Sequence, residues 1–157
     1  MIVQHASTKG NSLIEAILLK MSDTGVVQKK FILHILILML SIRGKINFLQ
    51  LERYGSLSDR TYRNNFSAAF DWFEFNKVFT EQHCSDECIL AFDPSYISKS
   101  GKCTPGIGYF YSGCTSRHER GLEIGCYSLL DVKQNTAYHL YAEQTKALPK
   151  GDNQISL

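Results

Sequence analysis

The stretch CILAFDPSYISKSGKCTPG, residues 88–106, decides how the second half of the chain is read. An apolar run reaches Asp93, Pro94 follows at once, and a Ser- and Gly-rich loop then carries Lys99 and Lys102. ECILAFDPSY has the length and β-branched, aromatic content of a strand, so Asp93 is expected to leave a buried strand at its end and enter a basic loop. A carboxylate so placed either caps the Pro94–Ser95 turn or binds a metal ion, and the residues by themselves leave both open.

Downstream, GLEIGCYSLLDV (residues 121–132) and TAYHLYAEQT (residues 136–145) read as two more strands, separated by the hairpin-sized KQN. The excursion over residues 98–121 holds one short apolar stretch, IGYFYSG. The expectation is three main strands in meander order, which by themselves leave a sheet face uncovered.

Upstream the periodicity changes to that of helices, giving an α+β chain with a helical region over residues 1–82 and a sheet region over 86–157. NSLIEAILLKM is a weak helical stretch in a mixed, polar start. FILHILILML (residues 31–40) lies in a helix from about Val26 to Ile42, stopped by Gly44 and apolar nearly all round. His34 interrupts it, and the run falls short of the roughly 20 residues that a membrane span needs. A buried core helix is expected, with no membrane partner.

NFLQLERY reads as a short helix closed by Gly55. Ser58 stands at an N-cap position ahead of a helix running to about Phe73, with Tyr62, Phe66, Ala69, Phe70 and Phe73 on its apolar side. Arg60, Arg63, Asn64 and Ser67 fall on the other side. Two short helices around a glycine-containing turn, with Arg and Asn early in the second, form the pattern of a helix-turn-helix. Arginine donates to guanine edges and asparagine pairs with adenine edges, so Arg60, Arg63 and Asn64 are the candidate DNA-binding residues. The plainer alternative is a helical hairpin with a solvated polar face.

Charge distribution agrees with a polyanionic partner better than total charge does. The 157 residues carry a formal charge of only +2 with 20% charged residues. Yet Lys29, Lys30, Arg43, Lys45, Arg53, Arg60 and Arg63 face only Glu52 and Asp59 over residues 29–63. With 44% hydrophobic residues the chain can build a core. Five scattered cysteines without a secretory signal suggest thiols in a reducing cytoplasm.

Other motifs carry less. In SKSGKCT a P-loop would need glycine where Tyr96 stands and Ser or Thr where Cys103 stands. His83, Cys84 and Cys88 with Cys103, Cys114 and His118 offer zinc ligands but only one close pair, so free or buried thiols are expected. Asp131 sits at a hairpin end beside Lys133 and reads as a solvated turn acid; Glu143 reads as facing solvent or a basic neighbour.

Taken together, FDPSYISKSGKCTPGIGYFYSG, RGLEIGCYSLLDV and YHLYAEQT resemble the start of the catalytic domain of bacterial insertion-sequence transposases of the DDE type, which have a ribonuclease H-like fold. The resemblance covers residues 86–146, and the basic helical region resembles the DNA-binding part such enzymes carry upstream. The family's later Gly-Glu and Gln-Thr landmarks are matched at Gly121 to Glu123 and at Gln144–Thr145, without a Glu directly after Gly121. The resemblance implies that Asp93 is the first of three carboxylates binding two magnesium ions, one activating a water or 3′-hydroxyl and the other stabilising the leaving oxygen. Lys99 and Lys102 would contact the DNA backbone as point charges. In the family the second Asp and the Glu lie beyond the third strand, and Asp131, which belongs to the second strand of that layout, does not match the second Asp. The chain is therefore expected to be a truncated N-terminal portion of a transposase, inactive in strand cleavage alone. The alternative is a non-catalytic DNA-binding remnant that occupies insertion-sequence ends and regulates an intact transposase, through self-association or through that enzyme.

Overall fold

The computed structural model describes the backbone of residues 2–101 and 103–146, and side chains from Lys9 onward. Lys102 lies outside the described residues. Among the described residues the architecture is α+β, with five helices followed by an open antiparallel sheet of four strands. The chain divides into a helical unit, Met1–Phe79, and a sheet unit, Thr80–Leu157.

In the helical unit, α1 spans Ile2–Lys20 and begins well before the weak stretch read from sequence. Ile14, Ile17, Leu18 and Met21 recur at three- and four-residue steps and are buried, the stripe of a helix resting on a core. α2 is Val26–Ser41; from Phe31 to Met39 every side chain is buried or half-buried, as expected of a core helix, but its ends are not, with Val26, Val27 and Leu40 68–80% exposed. No helix of the described residues is long and apolar enough to cross a membrane.

α3 (Phe48–Tyr54) and α4 (Asp59–Phe66) are each fixed by a side-chain cap. Asn47 accepts from the Gln50 N–H at 2.9 Å, and Ser58 accepts from the Thr61 N–H at 3.3 Å. Leu51 and Tyr62 carry these helices into the core, where Tyr62 is completely buried. Its hydroxyl lies 2.8 Å from His34 Nε2, with the two rings stacked at 5.9 Å. The polar residue that interrupts α2 is thus satisfied inside the core by α4. Gly55 makes room for this arrangement: a Cβ there would sit 2.0 Å from the Tyr62 hydroxyl and 2.8 Å from Leu38.

The helix expected to continue to Phe73 ends at Phe66, and α5 (Trp72–His83) starts afresh. Asp71 accepts from the Glu74 N–H at 2.8 Å and caps α5, while Ser67 turns its hydroxyl back onto the Asn64 carbonyl at 2.7 Å. The apolar side is correspondingly shorter than the sequence pattern suggests. Tyr62 is buried, but Ala69 is exposed and Phe66 and Phe73 are nearly half exposed.

In the sheet unit, β1 is Cys88–Ser98, β2 Gly108–Ser112, β3 Arg117–Asp131 and β4 Thr136–Gln144. The three expected strands are present with β3 between β1 and β4, and IGYFYSG supplies a fourth, β2. β3 is long enough to serve all the others: β1 pairs along 121–131, β4 along 124–131 and β2 along 117–121. A bulge at Tyr127/Ser128 interrupts the β3–β4 register. β1 is neither buried nor ended at Asp93. It continues through Pro94 to Ser98 and pairs with β3 alone, an edge position where the missing proline N–H is tolerated.

Candidate nucleic-acid interface

Arg60, Arg63 and Asn64 are exposed, and their spacing places them on one side of α4, away from buried Tyr62. The cap at Ser58 starts α4 two residues before Arg60, so the polar side begins in the first helical turn. Arg63 is oriented by two contacts: its Nε lies 3.2 Å from Asp59 Oδ2, and its guanidinium stands 4.5 Å from the centre of the Phe48 ring. Arg60 forms no ion pair among the described residues, and neither do Lys30, Arg43, Lys45 and Arg53, all exposed. The helical unit therefore offers solvated positive charge together with one held guanidinium. Phe48, which holds it, carried no signal in the sequence beyond its place in a short helix.

The carboxylates of the sheet do not converge. Asp93 is exposed in the middle of β1, opposite Cys126 of β3 and in line with Ala142 of β4. Glu143, also exposed, is in line with Gly125 and Pro94. Because neighbouring positions along a strand alternate in direction, Asp93 and Glu143 occupy opposite faces of the sheet. Asp131 lies five positions along β3 from Cys126, about 17 Å at ~3.4 Å per residue, and on the face opposite Asp93. A magnesium pair requires several converging oxygen ligands, and the described residues offer Asp93 singly. They do not fit a two-ion site.

The basic loop after β1 is tethered rather than free. Arg120 donates from its two terminal nitrogens to the carbonyls of Ser100 and Gly101, at 3.2 and 3.1 Å. The Arg120 carbonyl in turn accepts from the Tyr96 hydroxyl at 2.9 Å. Lys99 is exposed one residue past the end of β1, about 17–20 Å along the strand from Asp93 at ~3.4 Å per residue. The structure does not bring the two together. Arg120 was not foreseen, because a guanidinium that binds backbone carbonyls carries no motif.

Asp131 differs most from its expectation as a solvated turn acid. It is 2% exposed. Its Oδ2 accepts from the Ser85 N–H at 2.6 Å; its Oδ1 accepts from the Ser85 hydroxyl at 2.7 Å and the Gln134 N–H at 2.9 Å. Burial pushes the carboxyl up, but the Ser85, Gln134 and Lys133 amides and the Ser85 hydroxyl outweigh it and hold the group below its ordinary value. Lys133 pairs instead with Asp86. Gln134 and Tyr138 both donate to the His83 carbonyl, at 2.7 and 3.2 Å, so the β3–β4 turn holds the segment that leads from α5 into β1.

The cysteines also depart from the expectation of separate thiols. Cys84 and Cys88 meet sulfur to sulfur, whereas Cys103 and Cys114 are exposed singly and Cys126 is half-buried. Cys103, Cys114 and His118 do not join the close pair in any group of potential metal ligands among the described residues. Compared with family models, with curated proteins and with solved structures, the chain gives no match.

Proposed function

We propose that residues 1–79 form a DNA-binding unit of helix-turn-helix type, with α4 as its recognition helix, in a chain related to DDE-type insertion-sequence transposases. One observation carries the DNA-binding part. Arg60, Arg63 and Asn64 stand exposed along a helix whose opposite side is anchored by a fully buried tyrosine. A rigidly seated helix presenting donors to base edges and phosphates is what major-groove reading requires. The family part is supported by the DPSYISKSGK run and by a sheet in which β1, β3 and β4 are antiparallel neighbours. Magnesium chemistry belongs to that family reading; among the described residues Glu143 and Asp131 lie on the sheet face opposite Asp93. DNA occupancy without strand cleavage is the second reading, favoured by that same separation.

The test is binding of the full chain to labelled duplex DNA across a salt series. Affinity should fall linearly on a log–log plot. Arg60→Ala with Arg63→Ala should weaken binding and reduce the slope by roughly 1–2, about one for each phosphate no longer neutralised. Absence of binding at low salt, or a double variant that binds as the parent does, would remove α4 from the interface. Metal-dependent nicking by the full chain would decide against occupancy alone.

A further inference from the structure

We propose that Cys84, Cys88 and Asp131 form a binding site for a thiophilic divalent cation, zinc above all, in the reduced protein. Cys84 follows the last turn of α5, Cys88 opens β1, and Asp131, the register partner of Cys88, closes β3. One ligand atom from each of the three lies within 4.8 Å of the others. Their backbones are fixed independently of any ion: the Cys84 N–H donates to the Thr80 carbonyl at 2.8 Å and the Val132 N–H to the Glu87 carbonyl at 3.1 Å.

The spacing favours an ion over a disulfide. The Cα atoms of Cys84 and Cys88 are 7.6 Å apart, whereas disulfides ordinarily bridge roughly 4.4–6.8 Å. A tetrahedral ion with sulfurs at ~2.3 Å holds them about 3.8 Å apart, which suits the wider backbone separation. Two thiolates beside a carboxylate would place three negative charges together, and a cation offsets that repulsion. Thiolates select zinc over magnesium or calcium. Asp131 arrives already oriented: Ser85 and Gln134 hold it as outer partners hold metal-binding carboxylates. Both cysteines are half-buried, which leaves the fourth corner of a tetrahedron to water.

Cobalt(II) is the probe, added to the full chain under a non-thiol reductant. One equivalent should produce a thiolate-to-cobalt charge-transfer band, and zinc should abolish it. The band should be lost in Cys84→Ser and in Cys88→Ser, each checked for retained secondary structure by circular dichroism. It should persist in a chain carrying Cys103→Ser, Cys114→Ser and Cys126→Ser. Asp131→Asn should keep the band but weaken binding; if that variant fails to fold, the cysteine variants decide the matter. A reduced chain that binds no cobalt overturns the proposal, as does a band that survives loss of both Cys84 and Cys88. Two sulfurs that stay joined under the reductant would make the pair a disulfide and equally sink it.

Discussion

The two halves of this chain solve the burial problem differently. In the helical unit one cluster runs from Ile14 to Val78 and takes in α1, α2, α3, α4 and α5. Among the described residues of the sheet unit, Phe110 is the buried hydrophobic side chain, while Ile89, Leu90, Phe92 and Ile97 along β1 are 42–62% exposed. Ile89 and Ile97 face one way, Leu90 and Phe92 the other, so both faces of the edge strand carry uncovered apolar surface. Packing closes the first unit, and backbone pairing along β3 with a few polar anchors holds the second together.

That contrast can be broken most severely at Tyr62. Tyr62→Ala should cost about 3–5 kcal/mol of stability, the range for emptying a buried aromatic site, measured by urea unfolding followed through the helical signal. Gly55→Ala should cost about 1–3 kcal/mol, because the new methyl meets the Tyr62 hydroxyl and the Leu51 carbonyl. Tyr62→Phe keeps the ring and removes only the partner of His34; about 0.5–1.5 kcal/mol should be lost in the same assay. A loss as large as that for Tyr62→Ala would mean that the hydrogen bond, not packing, closes the helical core. In the sheet unit, Asp131→Ala should leave strand pairing in place while the Ser85 and Gln134 amides exchange faster with deuterium; unchanged exchange would show that the anchor carries no load. The smallest effect belongs to the exposed Asp59–Arg63 pair. Asp59→Asn should change stability by no more than about 0.5 kcal/mol while strengthening DNA binding, since it frees Arg63 and removes a negative charge beside the phosphates.

What could be read from sequence divides along the same line. The cap at Ser58, the stop at Gly55 and the apolar run of α2 are local, and each sits where its chemistry places it; Asn47, read as part of the short helix, instead caps it. The break between α4 and α5 also had a local sign, Asp71 followed three residues later by Glu74. Aromatics at Phe66, Phe70 and Phe73 continue the helical period across that break and hide it. β2 was hidden by its brevity inside a Gly- and Ser-rich excursion. Asp131 was not legible, because its partner Ser85 lies 46 residues away. The polar side of α4 could be read from spacing alone; the distance separating Asp93, Glu143 and Asp131 could not, since it depends on strand register.

The anchor at Asp131 also sets an order of events in time. A ribosome delivers residues at about 5–20 per second, so Ser85 waits several seconds for Asp131 to emerge 46 residues later. By then every residue of the helical core has already been made. β1, with apolar side chains on both faces, spends that interval without the strand it pairs with. The newborn chain is therefore most exposed to wrong pairings between the appearance of Cys88 and that of Asp131.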